Sequence, residues 1–229
     1  MKRFYKTVTA ESVDGGRAIR LDGRAVKTPA RAELVLPTAS LTHAVIAEWD
    51  AQADEIDPRS MPLTGLANAA IDRVAPDPKA FAATLAGYAE TDLLCYRAER
   101  PDSLVERQAA LWDPVLDWAR RRFDIAFVLT AGVVHRPQPA QTVARLAQAV
   151  AALAPYQLAG LSPLVTVSGS LILALALAEG GIGLDEAWEA AAIDELWQAA
   201  QWGEDADAAL SLEGRRADFA AGHRFLTLL

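Results

Sequence analysis

The sequence predicts an α+β protein, with a small N-terminal β-containing domain followed by a C-terminal, mostly α-helical bundle domain. Three observations predict it. Apolar and polar residues alternate at period two around an Asp22-Gly23 turn near the N-terminus. From Pro37 the apolar period becomes helical and stays so for almost all of the remaining chain. Between them, Ala75-Pro76-Asp77-Pro78 places two prolines where no helix interior tolerates them, so the boundary falls there, giving domains 1–76 and 77–229.

Taken in order, Phe4–Val8 and Glu33–Leu36 read as strands flanking a hairpin in which Ile19 and Leu21 alternate with Arg20 before Asp22-Gly23 turns the chain into Val26 and Thr28. This much sheet cannot bury itself alone. Ser40 is the expected cap of a helix whose face is Leu41, Val45, Trp49, Gln52 and Ile56. Leu63, Leu66, Ala67, Ala70, Ile71 and Val74 follow at the i, i+3, i+4, i+7 spacing of a second helix. Pro78 starts a third, with Phe81, Leu85 and Tyr88 on one face. Ser103 and Glu106 have the spacing of a capping box ahead of Leu104, Gln108, Leu111 and Trp112. Asp113-Pro114 then kinks or restarts that helix, with Asp113 as the expected N-cap. A late strand is expected over Ile125–Thr130, with Val133-Val134 beyond it. Helices follow over Pro139–Ala154, Pro163–Ala178 and Leu210–Phe219. Pro163–Ala178 is apolar on nearly every face, so it is expected at the centre of the bundle.

Composition narrows the function. The 229 residues carry 22 Lys and Arg against 30 Asp and Glu, a formal net charge of −8. An acidic surface repels phosphate, so nucleic acid is not an expected partner. The longest apolar stretch, Leu171–Ala178, is far short of the roughly 20 residues that span a bilayer, so no membrane insertion is expected. One cysteine, Cys95, allows no internal disulfide and fits a reducing compartment. With no signal or transit segment visible, a cytoplasmic protein is expected.

No catalytic constellation emerges. His43, His135 and His223 are scattered with no metal-ligand spacing, and no phosphate loop or nucleophile elbow is present. Neither metal nor cofactor is expected. Cys95 lies beside two leucines without an adjacent base, which is the setting of a core residue. Asp92 and Arg97 have the spacing of a structural ion pair. Glu48 and Asp50, on either side of Trp49, are expected in solvent.

One helix asks for more. Trp188, Glu195 and Trp202 are seven residues apart in each step. At about 100° per residue in one continuous helix, they would fall on a single stripe. Trp197 lies on the opposite side of that helix from Trp188. A carboxylate on an apolar stripe is costly unless paired. Glu195 therefore reads either as a buried acid paired with an arginine such as Arg97 or Arg215, or as a polar anchor within a protein-binding surface.

Several stretches, taken together and in order, resemble the ATP synthase F1-sector (F1-ATPase) assembly chaperones of the α-subunit-binding type. They are Arg3-Phe4-Tyr5-Lys6, Leu21-Asp22-Gly23-Arg24 with Val26-Lys27-Thr28-Pro29, Glu48-Trp49-Asp50-Ala51-Gln52, Met61-Pro62-Leu63-Thr64 and Leu66-Ala67-Asn68. Thr91–Arg97, Trp112-Asp113-Pro114, and Glu195 through Gln198 to Trp202-Gly203 complete the set. The resemblance implies a non-enzymatic chaperone that binds the unassembled F1 α subunit and prevents its aggregation until β replaces it. It implies a functional role for the acidic segment at Asp194 and Glu195. With the neighbouring indoles and acids, the expected partner-binding residues are Glu195, Asp194, Trp188, Trp197, Trp202 and Glu204. Such a chain is expected to be a bacterial, cytoplasmic monomer when free. The competing readings are a non-catalytic adaptor or scaffold for another protein, and a small hydrolase using Asp92, Cys95 or His135.

Overall fold

The structure, a computed structural model, describes residues 1–132, 134–203 and 205–229. It is α+β, and the chain groups into two compact units. Unit one comprises Met1–Pro78, Ala154–Gly160 and Arg224–Leu229; unit two comprises Lys79–Leu153 and Leu161–His223.

In unit one, β1 (Val8–Val13) and β2 (Gly16–Leu21) form an antiparallel hairpin with Val8 opposite Leu21. β3 (Arg24–Ala25) and β4 (Val35–Leu36) both pair with β2. The Asp22-Gly23 turn has positive φ at both residues, 48° and 80°, the geometry that the dipeptide predicts for a tight hairpin. Gly16 is required where β4 meets β2, because a Cβ would lie 2.2 Å from the Leu36 carbonyl oxygen. The strand expected at Phe4–Val8 begins only at Val8. Upstream of it, the ring of Tyr5 is buried and its hydroxyl donates to the Trp49 carbonyl at 2.7 Å.

Ile19 and Leu21 join Leu41 and Val45 of α1 (Ala39–Asp50) in one core. Each fully buried side chain of this size contributes about 1.5–3 kcal/mol. Thr38, not Ser40, caps α1, its hydroxyl accepting from Leu41 N–H at 3.1 Å. α2 (Pro62–Ala69) runs directly into a π-helical turn over Ala70–Val74. Glu48 is not in solvent as expected. Its carboxylate accepts from Leu63 N–H, Thr64 N–H and the Thr64 hydroxyl at 2.7–2.8 Å, capping α2 in place of Met61, which has no capping side chain. Two distant segments complete this unit. The Tyr156 ring stacks on Phe225, with centroids 6.2 Å apart, and its hydroxyl donates to the Val35 carbonyl. The Thr38 hydroxyl donates to the Leu228 carbonyl at 2.5 Å.

Among its described residues, unit two is helical apart from one short parallel pair. α3 (Pro78–Ala86) leads through single 3-10 turns at Gly87–Glu90 and Leu93–Cys95 to β5 (Tyr96–Arg97). α4 (Asp102–Phe123) follows, and β6 (Thr130–Ala131) pairs parallel with β5. The late strand is thus much shorter than expected, and Val133 lies outside the described residues. Then come α5 (Ala140–Ala151), α6 (Pro155–Ser168), α7 (Leu171–Ala178), α8 (Leu184–Ala191), α9 (Ile193–Trp202) and α10 (Ala206–Thr227).

Four local expectations are not met. α4 starts at Asp102 after Pro101 with no side-chain cap, so Ser103 and Glu106 form no capping box. The same helix passes through Pro114 without restarting. Pro114 is exposed, so the carbonyl it leaves unbonded is lost on the solvent side. Asp113 therefore caps nothing and pairs with Arg97 at 2.6 Å, which removes Arg97 from Asp92. Asp92 is fully buried instead, accepting from Leu94 N–H at 3.1 Å and from Ile172 N–H, at the start of α7, at 2.9 Å. The apolar run expected as one helix over Pro163–Ala178 is divided at Gly169, whose φ is +68°. Pro163 lies inside α6, and Leu171 to Leu177 of α7 are all buried.

Candidate protein-binding site

The expected stripe rests on a continuous helix, and the helix breaks. Ala192, buried with φ −109° and ψ 16°, separates α8 from α9. Side chains of α4 hold this corner. Trp112, with no exposed surface, donates its indole N–H to the Ala190 carbonyl at 2.8 Å. The buried Gln108 donates to the Asp194 carboxylate at 2.8 Å and accepts from Ala98 N–H at 2.8 Å. Arg107 pairs with Glu189 at 2.9 Å.

The break sends the residues of the stripe in different directions. Trp188 is buried and packs on Phe219 of α10, with centroids 5.9 Å apart. Trp202, at the end of α9, is 75% exposed. Trp197 does not oppose Trp188 across one helix; it meets Trp202 edge-to-face, with centroids at 5.6 Å. Gly203 ends α9 at φ +89°, and Asp205 caps α10 by accepting from Ala208 N–H at 2.9 Å. Glu204 lies outside the described residues.

Glu195 is neither buried nor unpaired. Its side chain is 45% exposed and accepts from Arg215 of α10 at 2.6 Å. Of the two arginines weighed from sequence, the partner is Arg215. The pair borders a cavity of about 220 Å³ between α9 and α10, lined by Leu196, Ala199, Ala208, Ala209 and Leu212, with Asp205 also on its lining. Leu210, beside this cavity in the sequence of α10, is 69% exposed. The structure therefore brings Glu195, Trp197 and Trp202 to one accessible helix pair, while Trp188 and Asp194 hold it from behind. Ala208 and Ala209 were missed because the last helix was expected to start only at Leu210; Leu210 and Leu212 lay in that expected helix but were not assigned to the site. Asp205 at the N-cap of α10, followed by Ala206-Asp207-Ala208-Ala209, was the available signal.

The hydrolase residues have no comparable arrangement. Burial pushes the Cys95 thiol up to about 12, with the Asp92 carboxylate adding to it, so Cys95 holds no thiolate near neutral pH. Both oxygens of Asp92 are taken by helix N–H groups. His135 is exposed, with Nδ1 3.0 Å from the Tyr96 hydroxyl. Among the described residues, no group of three His, Cys, Asp or Glu is placed to hold a metal ion. No described helix is long and apolar enough to cross a membrane.

The family model described as ATP12 chaperone protein matches residues 2–120, more than half of the sequence. This chain belongs to the ATP12 chaperone family. That is the F1 assembly chaperone family which the ordered motifs resemble, and it makes the chain an ATP synthase assembly chaperone. The crystal structure of Atp12 from Paracoccus denitrificans is 42% identical and superimposes with a TM-score of 0.94, covering 99% of this chain and 97% of that one. The Atu1473 protein of Agrobacterium tumefaciens is 44% identical at the same TM-score of 0.94, over 99% of this chain and 85% of that one. Protein atp12, mitochondrial, of Schizosaccharomyces pombe is 25% identical over 219 residues, spanning 90% of this chain and 75% of that protein. The ATP12 family match stops before α8, whereas the likeness to the solved Atp12 structure extends over the α9–α10 face.

Proposed function

We propose that this ATP12-family chaperone binds the unassembled α subunit of the F1 sector through its α9–α10 face, keeping α from aggregating until β takes its place. The observation that carries the proposal is the exposed apolar pair, Trp202 and Leu210, next to an apolar cavity bordered by the Glu195–Arg215 ion pair. Exposed apolar side chains gathered beside an apolar cavity are the kind of surface that marks a protein-binding site. An unassembled subunit exposes the apolar surface meant for its neighbours, and covering that surface needs no nucleotide. Release then follows when β competes for the same face. Glu195 and Asp205 supply charge at the rim, where it steers encounter and register more than it adds affinity. A single buried cysteine is consistent with a reducing bacterial cytoplasm, and the proposal treats the free chain as a monomer there.

The test is capture of α by the purified chain, comparing unassembled α with assembled F1. The wild-type chain is expected to retain only the former. Trp202→Ala should weaken capture at least about tenfold, as expected for an aromatic anchor. Glu195→Ala should weaken it too, with little change in melting temperature, because an exposed pair of this kind is worth only about 0.2–1 kcal/mol to the fold. Equal capture of α and assembled F1 overturns the chaperone reading. Unchanged capture by both variants moves the binding face elsewhere.

A further inference from the structure

Unit one carries a second open groove, of about 620 Å³, formed between α2 with its π-helical turn and the loop that follows β3. Pro29 and Ala30 make one wall; Gly65, Asn68, Asp72 and Arg73 make the other. The walls are fastened together. The two oxygens of Asp72 accept from the Thr28 hydroxyl at 2.6 Å and from Ala30 N–H at 2.9 Å, so its carboxylate is turned into the loop. The loop closes on itself through Arg31 N–H to Thr28 O at 2.8 Å and Thr28 N–H to Ala32 O at 2.9 Å.

Three features of the helical wall have no account within the chain. Gly65 lies inside α2, where glycine is a poor helix former, yet a Cβ there would meet nothing within 4 Å. Asn68 Oδ1 is shut off from water and, among the described residues, accepts no hydrogen bond, although its side chain borders the groove. The wall then passes into a π-helical turn, closed by Ala75 N–H to Ala70 O at 2.9 Å, a rare backbone form that recurs at functional sites. Charge adds a fourth. The chain carries −8 overall, yet Arg73, and Arg31 next to Ala30, are exposed. Among the described residues neither forms an ion pair.

We infer that this groove binds an extended, acidic peptide segment of a partner protein, whose backbone crosses Gly65 and pairs with the Asn68 carboxamide while a carboxylate meets Arg73. A missing Cβ is what close approach of a backbone requires. A carboxamide offers one acceptor and two donors, the complement of a peptide unit. The torsion that aims it is broad and two-fold, so the carboxamide can exchange the positions of its oxygen and its NH₂. The exposed guanidinium selects the sign of the peptide's charge.

The experiment uses the full chain, ¹⁵N-labelled, titrated with a blocked pentapeptide alternating valine with aspartate or glutamate, and with its lysine counterpart. The acidic peptide should shift amide signals of residues 28–32 and 65–73 and bind at least about tenfold tighter than the lysine peptide. Asn68→Leu should lose about tenfold in peptide affinity without lowering the melting temperature, since it removes an amide whose oxygen has no partner. Gly65→Leu should block binding in a helix that is otherwise intact, and R73E should reverse the preference between the two peptides. Shifts outside the groove, equal affinity for both peptides, or wild-type affinity in N68L and G65L would each overturn the inference. So would concentration-dependent shifts of the same residues without peptide, which would make a second copy of this chain the occupant.

Discussion

Asp92→Asn isolates the one fully buried carboxylate among the described residues of the helical unit. Asp92 has no exposed surface, and burial raises its pKa from the usual 3.8 to about 6, against the opposing pull of the Ile172 N–H, the Ser170 hydroxyl and the Leu94 N–H. That difference corresponds to about 3 kcal/mol of penalty on the ionised form in the fold. The sign follows from linkage. A carboxyl whose pKa is raised on folding binds its proton more tightly in the native state. Its contribution is therefore complete below about pH 4 and is lost as pH rises through about 6. Asparagine is neutral throughout, but it turns an NH₂ toward one of the two backbone N–H groups that Asp92 now satisfies, a pH-independent loss of about 1–3 kcal/mol. Wild type should therefore exceed the variant in stability at pH 4.5, and the gap should shrink by about 2 kcal/mol by pH 7.5. Urea denaturation of both proteins at the two pH values measures it, and contributions from every other titrating group cancel in the difference. A gap that stays constant, or widens as pH rises, would refute the account of a penalised buried carboxylate holding α7 to the turn at Leu93–Cys95.

Two further predictions concern the frame around the proposed binding surfaces. Glu48→Ala should cost unit one about 2 kcal/mol in denaturant unfolding, since it strips three charge-assisted bonds from the start of α2; Glu48→Gln should recover part of that loss. No loss in E48A would mean that water caps this helix equally well. Gly181→Ala should destabilise unit two by about 1–3 kcal/mol, because its Cβ would sit 2.5 Å from Nε1 of Trp118, whose ring is already packed edge-to-face on Phe123. An unchanged urea midpoint would show that the Trp118 indole moves aside freely.

What the sequence revealed of the fold was whatever depends on a residue's near neighbours. The Asp22-Gly23 hairpin, the Leu41–Val45 face of α1 and the apolar α7 follow from periodicity and turn chemistry, and the structure contains them. Hidden from it were polar partners that lie far apart in the chain. Glu48, Asp92 and Asp113 all sit where a local rule gives them to solvent, to a neighbouring ion pair or to their own helix. Their partners are instead 15, 80 and 16 residues away. A carboxylate takes whichever desolvated donor the tertiary fold presents, and no i, i+3 or i, i+4 pattern encodes that choice. The grouping of Arg224–Leu229 with the N-terminal sheet is of the same kind, resting on Phe225 against Tyr156 and on the Leu228 carbonyl.

The candidate site shows why residues grouped by sequence spacing can carry an incorrect geometry. Seven-residue spacing places side chains on one line only while the helix continues, and Ala192 ends that continuity in a single residue. Nothing in Ala191-Ala192-Ile193 announces a break, since alanine is the best of helix formers. The break comes from α4, where Trp112 takes the Ala190 carbonyl and Gln108 takes Asp194, so that α9 starts on a new course. As a result the hydrophobic cost of the two indoles is divided. Trp188 is buried against Phe219 and stabilises the bundle, while Trp202 remains in water at a cost the fold does not recover by itself. Glu195, freed from the apolar stripe, is half exposed and pairs with Arg215. An acid in that position can exchange its arginine for a partner's cation at little cost, which a fully buried pair could not do. The break at Ala192 thus separates the part of this segment that holds the fold from the part proposed to recognise another protein.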